Sequence, residues 1–60
     1  MRSVKTLIDT GRAVRGVPVR LVGSVNPFEG VVDCIDRDGY VVVDGPYRLV
    51  GPPEWFEVTI

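Results

Sequence analysis

The sequence contains no histidine and only one cysteine, Cys34, and these two scarcities exclude several kinds of site. Without an imidazole there is no side chain that titrates near neutral pH in its ordinary state, and no Ser-His or Cys-His nucleophile pair. One thiol without histidine cannot hold a structural zinc ion. A lone cysteine cannot form a disulfide within the chain, which favours a reducing compartment. We therefore expect no metal and no cofactor.

Long apolar runs are also missing, so the sequence predicts neither a signal peptide nor a membrane span. We expect a cytoplasmic protein with no membrane partner. Its 60 residues suffice for one domain, whose small core would leave its stability marginal. The seven glycines form no phosphate-binding loop and no dinucleotide fingerprint. Their even spread indicates turns between short strands.

The charges are few but unevenly placed. The net charge is -1, with +4 in residues 1–22 and -5 in residues 23–60. The basic segment favours either an anionic partner or pairing with the acidic remainder of the fold. We favour pairing, because nucleic-acid binders of this size are usually basic overall. If phosphates are bound, the candidate contacts are Arg2, Lys5, Arg12, Arg15 and Arg20.

From residue 17 onward, alternating apolar residues predict strands. Residues 17–22 form the first, which begins at Pro18 or lies at an edge, because proline has no amide hydrogen. A loop at 23–30 follows. Strands at 31–36 and 40–45 are joined by a turn in which Gly39 takes the left-handed conformation.

The end of the chain continues this pattern. A fourth strand is predicted at 46–51, and Pro52 and Pro53 favour a single helical turn over 52–55. In the last strand we expect Phe56, Val58 and Ile60 to face inward, and Trp55, Glu57 and Thr59 to face outward.

The first sixteen residues allow two interpretations. Val4, Leu7 and Ile8 have helical spacing, with Ser3 as N-cap and Gly11 as the stop. The same segment also reads as a strand. We predict an arm or added strand over residues 1–16 and a barrel over 17–60, together one domain.

Residues 19–32 and 47–60 carry the same residue at six of fourteen positions. This similarity predicts either a duplicated hairpin with pseudo-twofold symmetry or a chance echo in a chain rich in Val, Gly and Pro. Both interpretations stay open.

The segments "VPVRLV", "GVVDCID", "YVVVDG" and "YRLVGPPEWFEV" follow the order of the SH3-like small barrels, which include SH3, Tudor and KOW domains. The resemblance covers residues 17–60 and implies an all-β, five-stranded SH3-like barrel. Such barrels usually bind partners through aromatic residues around the long first loop. By position, the resemblance nominates as partner-binding residues Phe28, Tyr40, Tyr47 and Trp55, with Glu29, Asp33 and Glu54 as acidic neighbours.

The resulting hypothesis is a non-catalytic interaction module that binds a protein partner or its own copies. The alternative is a nucleic-acid-binding accessory protein that uses the basic N-terminal segment, with Tyr40 or Trp55 stacking on bases. Acidic residues near the aromatic ones favour a basic peptide over a phosphate backbone.

Two narrower resemblances point elsewhere. "VRLVG", "FEG" and "GYVV" are similar to segments of the tetrameric type II dihydrofolate reductases, but the substrate-contacting Val-Gln-Ile-Tyr of that family is absent. "SVK", "AVRGVP" and "DRDGYVVVDGP" resemble the swapped-hairpin DNA-binding fold of AbrB and MazE. That fold needs a helix after Pro18, which Gly23 and Pro27 disfavour.

"LIDTG" at residues 7–11 resembles the Asp-Thr-Gly loop of retroviral-type aspartic proteases. Their chemistry needs two facing aspartates that share one proton, which a homodimer would have to supply through Asp9. Only 49 residues follow Gly11, too few for a flap and a cleft. We therefore interpret Asp9-Thr10-Gly11 as an ordinary turn.

Overall fold

A computed structural model describes residues 2–60. One short helix precedes five strands that form a single antiparallel sheet, which confirms the predicted all-β class. The elements are α1 Val4–Asp9, β1 Pro18–Leu21, β2 Glu29–Ile35, β3 Val41–Asp44, β4 Arg48–Gly51 and β5 Phe56–Val58, with a 3-10 turn at Pro53–Trp55. The strand order is β4-β3-β2-β1-β5.

The hairpin between β2 and β3 forms where the sequence predicts it. An Oδ1 of Asp36 accepts hydrogen bonds from the backbone amides of Asp38 and Tyr40, both at 2.9 Å. Gly39 has a φ of +88°, which a residue with a Cβ adopts only with strain. The turn is therefore closed by the aspartate side chain together with the glycine backbone.

The core lies between one face of the sheet and α1. Alternating positions of the strands supply most of it, as expected for a half-buried sheet. Its buried residues are Val4, Leu7, Val14, Val19, Phe28, Val32, Val41, Val43, Phe56 and Val58. Burial of these side chains is the main stabilising contribution in a domain of this size.

Residues 4–9 form a helix, which corrects the expectation of an arm or added strand. Ser3 Oγ accepts from the Thr6 amide at 3.2 Å, so Ser3 is the N-cap. The helix stops at Gly11: its amide donates to Ile8 O, and the Arg12 amide donates to Leu7 O. The helix forms because it buries Val4 and Leu7 in the core, a contribution that an extended arm would not make.

The sheet is not closed into a barrel. Within residues 2–60, β4 and β5 are the two edge strands and do not pair with each other. Their connection contains Pro52 and Pro53, which have no amide hydrogen with which to extend a ladder from β4. The expected closed sheet is therefore corrected to an open one.

The last strand is shorter than predicted. β5 ends at Val58, and Ile60 is 84% exposed, so the expected inward orientation of Ile60 is wrong. Phe56 and Val58 are buried as predicted. The Thr59 amide still donates to Pro18 O at 3.0 Å. Beyond this hydrogen bond, the sheet does not extend far enough to cover the side chain of Ile60.

The two similar segments of the chain do not form equivalent hairpins. β1 and β2, from the first segment, pair with each other. β4 and β5, from the second, lie at opposite edges of the sheet. The helix required by the AbrB comparison is not formed either, because Pro18–Leu21 is a strand. Among the described residues, 2–60, no helix has the length and apolar character to cross a membrane.

Candidate functional site

A groove lies where β1 ends and β2 begins, beneath the connection formed by residues 22–28. Its volume is about 290 Å³. The lining residues are Arg20, Leu21, Val22, Gly23, Ser24, Pro27, Phe28 and Glu29. β1 and β2 pair in antiparallel register, which sets Arg20 directly opposite Glu29. The two strands thus present an arginine and a glutamate at the same end of a groove whose lining combines apolar side chains with polar groups.

Phe28 forms an apolar wall of this groove and belongs to the core. It is only 2% exposed, so it offers little surface to a partner, and its nomination as a partner-binding residue stays a prediction. Its ring packs under the backbone of Gly45, where a Cβ would lie 2.9 Å from Cζ of the phenylalanine. Glycine at this position therefore allows the close approach of ring and backbone.

Tyr47 extends the aromatic surface from Phe28 to solvent. The two ring centroids are 5.0 Å apart with a tilt of 57°, a geometry that aromatic pairs favour. Tyr47 is 61% exposed. Its nomination as a partner-binding residue stays a prediction, with which this exposure is compatible.

Trp55 contacts the other end of the connection 22–28, at Val22. Its carbonyl oxygen accepts from the Val22 amide at 2.8 Å, which ties the 3-10 turn to the end of β1. Its ring covers Gly51, where a Cβ would lie 2.5 Å from Cε3. One side of the ring is thus packed and the side chain remains half-exposed, in agreement with the predicted outward orientation.

The remaining predicted contacts are dispersed. Tyr40 is half-exposed but precedes β3 beside the turn at 36–39, at the other end of that strand from Gly45 and Tyr47. Glu54 lies in the 3-10 turn. Glu29 therefore lines the groove, and Tyr47 packs on its Phe28 wall. Trp55 contacts the lining residue Val22 through its backbone, whereas Tyr40 lies apart from the groove.

Ion pairs engage part of the basic segment. Lys5 Nζ lies 2.9 Å from Asp9 Oδ2, and this hydrogen bond, with the charges of Asp9 and Glu54, raises the pKa of Lys5 above its ordinary value of 10.5. Arg20 Nη2 lies 3.1 Å from Glu57 Oε2.

Two of the five candidate phosphate contacts, Lys5 and Arg20, are thus held by carboxylates. A nucleic-acid site would depend on the other three, Arg2, Arg12 and Arg15. This pairing favours the prediction that opposite charges settle against each other within the fold.

A second ion-pair network lies on the outer face of the sheet, the face that carries Val31, Asp44, Arg48 and Val50. Arg48 donates from Nη1 to Asp44 at 2.9 Å and from Nη2 to Asp33 at 2.7 Å. The hydrogen bond to Asp33 and the charge of Asp44 raise the pKa of Arg48 above its ordinary value.

Asp33 reaches Arg48 because a β-bulge between Val32 and Cys34 leaves it outside the regular register. Asp33 was predicted to be an acidic neighbour of the partner-binding aromatic residues. The structure places it in this network instead.

Asp9 is the last residue of α1, and its exposed carboxylate pairs with Lys5. Thr10 and Gly11 then form the turn that ends the helix. The geometry of an aspartic-protease loop, with a carboxylate at the base of a cleft, is not present at this position. Among residues 2–60 there is no cluster of three or more potential metal-ligating side chains.

Comparison of the chain with protein-family models, curated proteins and solved structures found no significant match. The groove and its surroundings therefore supply the basis for a functional proposal. Sequence reasoning nominated Glu29, Tyr47 and Trp55 but missed Leu21, Val22 and Pro27, which line the groove. The available signal was the placement of Val22 and Pro27 at the two ends of the loop, where apolar side chains flank a strand break.

Proposed function

We propose that this chain is a non-catalytic interaction module of SH3-like topology that binds a protein partner in the groove beneath residues 22–28. The fold assignment is supported by the strand order β4-β3-β2-β1-β5, with a 3-10 turn before the last strand. The sheet is an open variant of that topology, because β4 and β5 remain unpaired with each other.

The observation that carries this proposal is the exposed Tyr47 ring packed on Phe28, beside a groove lined by both apolar and polar groups. Phe28 supplies a packed wall, Tyr47 continues it into solvent, and the backbone of Trp55 is hydrogen-bonded to Val22 of the groove lining. Half-exposed aromatic rings with one face held by the fold offer contact area at little cost in conformational entropy. This is the construction expected of a binding surface.

The charges at the groove favour a basic partner. Arg20 is already paired with Glu57, so its positive charge is largely balanced. Glu29 lies on the groove wall without an ion-pair partner among residues 2–60. A segment with a small apolar side chain or proline next to a lysine or arginine would satisfy both the apolar wall and this carboxylate.

A random peptide library displayed on phage provides the test. We expect selection on the wild-type protein to enrich peptides with a basic residue beside proline or an aliphatic residue. Tyr47→Ala and Glu29→Arg should each weaken binding of a selected peptide by about tenfold or more, as for truncation of an energetically important contact. Backbone NMR shifts on titration should concentrate at residues 20–29, 47 and 55.

The matched control is Tyr40→Ala, because Tyr40 has a similar exposure, 48% against 61% for Tyr47, but lies away from the groove. It should bind the selected peptide as the wild type does. Selection that enriches no peptide, or peptides that bind Tyr47→Ala with unchanged affinity, would contradict the proposal.

A further inference from the structure

The two edges of the sheet differ in how their backbone groups are satisfied. On β5 the Val58 amide donates to Arg2 O at 2.8 Å, and Ser3 forms a β-bridge with Glu57. The Phe56 amide donates to Pro53 O. The outer edge of β5 is therefore covered by the segment before α1 and by the 3-10 turn.

The outer edge of β4 is open. The Gly45 amide donates to Tyr47 O at 3.3 Å, so Gly45 and Tyr47 form a hydrogen-bonded pair. In an antiparallel ladder every second pair is hydrogen-bonded, and this pair fixes which ones are in β3–β4. Leu49 and Gly51 consequently exchange hydrogen bonds with β3, whereas the amides and carbonyls of Arg48 and Val50 point away from it. Within residues 2–60, neither the Arg48 nor the Val50 amide forms a backbone hydrogen bond outside the sheet ladder.

Prolines limit this open edge on both sides. The next outward positions before Arg48 and after Val50 are Pro46 and Pro52, which have no amide hydrogen. Pro46 and Pro52 are equally far from Leu49 along the chain, so the two prolines are placed symmetrically about it. In an antiparallel pairing of β4 with itself about that residue, Arg48 faces Val50 of the other copy and Pro46 faces Pro52.

In this register all four amides of the two open edges find carbonyl acceptors, and each proline faces another proline rather than a donor. A shift in register would set a proline opposite Arg48 or Val50 and remove a hydrogen bond. The edge is therefore complementary to a second copy of itself.

We propose that β4 pairs antiparallel with β4 of a second copy of this chain, about a twofold axis at Leu49, and joins the two sheets into one. Because the β5 edge is covered, the pairing closes at a dimer and does not continue into a filament. This surface is distinct from the groove, so the dimer does not depend on the proposed partner.

The side chains at the edge permit this approach. Edge strands are commonly guarded by a free charge, but here the only charged side chain of β4, Arg48, is turned back onto Asp33 and Asp44. Val50 is 48% exposed and would pack beside Arg48 of the second copy. Leu49, partly buried against the core, would meet its counterpart at the axis.

Sedimentation velocity from about 10 µM to about 1 mM tests the proposal on wild type and two lysine variants. Val50→Lys places a charge at the open edge opposite Arg48 of the second copy. Val31→Lys is the matched control, since Val31 is 44% exposed on the same outer face but belongs to the central strand β2. We expect a concentration-dependent dimer for wild type and Val31→Lys, and a dissociation constant raised at least about tenfold for Val50→Lys.

Hydrogen exchange of the wild-type protein gives an independent measurement that needs no variant. The amides of Arg48 and Val50 should exchange more slowly as the protein concentration rises, while those of Leu49 and Gly51 stay unchanged. A monomer at all concentrations would overturn the proposal. So would a dimer without slowed exchange at Arg48 and Val50, or a filament that grows with concentration. Equal weakening of the dimer by Val50→Lys and Val31→Lys would also overturn it, because it would indicate that the outer faces stack.

Discussion

Residues 19–32 and 47–60 share the residue type at six of fourteen positions but occupy different places in the fold. The first segment supplies β1, which pairs with β2 on one side and β5 on the other. The second supplies β4, an edge strand that pairs with β3 alone within the described chain. Both segments connect a glycine to a phenylalanine through four residues. The connection at 24–27 is an open loop, whereas that at 52–55 contains a 3-10 turn.

The shared residues keep shared local roles. Phe28 and Phe56 are both buried, and Arg20 and Arg48 both bind carboxylates on exposed surface. The glycines diverge. Gly23 has a φ of +76°, whereas Gly51 lies in a strand beneath the Trp55 ring. Similar sequence thus determines which side chains are buried, while the connection and the neighbouring strands determine where each segment lies.

Truncation of the two phenylalanines should separate the segments most strongly. Phe56→Ala removes a fully buried ring and should cost about 3–5 kcal/mol, enough to unfold a domain of this size. Phe28→Ala should cost about 3 kcal/mol, because its site opens to the groove and can collapse. Urea denaturation measures both. A larger loss of stability for Phe28→Ala than for Phe56→Ala would contradict the placement of the Phe28 ring beside the groove.

Exchange of the connections should have the next largest effect. Replacement of residues 52–55 by Ser-Val-Asn-Pro removes the 3-10 turn and the ring over Gly51, and should cost about 2 kcal/mol. The reverse exchange at residues 24–27 should cost less, since Val25 is almost fully exposed and that loop packs little. Thermal denaturation of the two chimaeras provides the comparison. Equal losses would show that both connections are equally packed.

Alanine at Gly51 and at Gly23 should distinguish a glycine required for lack of space from one required for its left-handed backbone conformation. Gly51→Ala forces the Trp55 ring aside and should cost about 1–3 kcal/mol, as for overpacking. Gly23→Ala meets no atom within 4 Å but holds a left-handed backbone, so it should cost about 1–2 kcal/mol. Only Gly51→Ala should alter the tryptophan fluorescence of the folded protein. An unchanged spectrum in that variant would contradict the ring placement.

Lysine at the two arginines should give the smallest effect. Arg48 binds Asp33 and Asp44 through separate nitrogens, which one ammonium cannot reproduce. Arg20 places two nitrogens on a single oxygen of Glu57, and lysine can replace this contact. Arg48→Lys should lower Tm by a few degrees at most, less at high salt, and Arg20→Lys by less still. A larger change for Arg20→Lys would reverse this ranking.

Much of the strand and turn pattern could be predicted from the sequence. The β-branched residues of "VVVD", the Asp36–Gly39 turn and the two prolines before Trp55 are local signals, and each element forms where predicted or within a few residues of it. The helix was an open alternative, because six residues with Ser3 and Gly11 as boundaries satisfy both interpretations. Only contact with β5 and the 3-10 turn makes the helical form favourable.

The candidate site was predicted less completely. Tyr47 and Trp55 were nominated by their positions in the SH3-like pattern, and both side chains are exposed. The burial of Phe28 was not predicted, because no local pattern reveals that its ring fits under the backbone of Gly45. The groove-lining Leu21, Val22 and Pro27 were missed for the same reason, since a groove is defined by segments that meet across the fold.

The amino-acid sequence by itself determined the strands, the turns and the burial of Phe56 and Val58, because alternation, glycine and proline act over a few residues. Only the tertiary structure decided the order of the strands, the docking of α1 and the contrast between a covered β5 edge and an open β4 edge. These features depend on pairing between distant segments. Residues 19–32 and 47–60 show that similar local sequences can form an internal strand, β1, or an edge strand, β4.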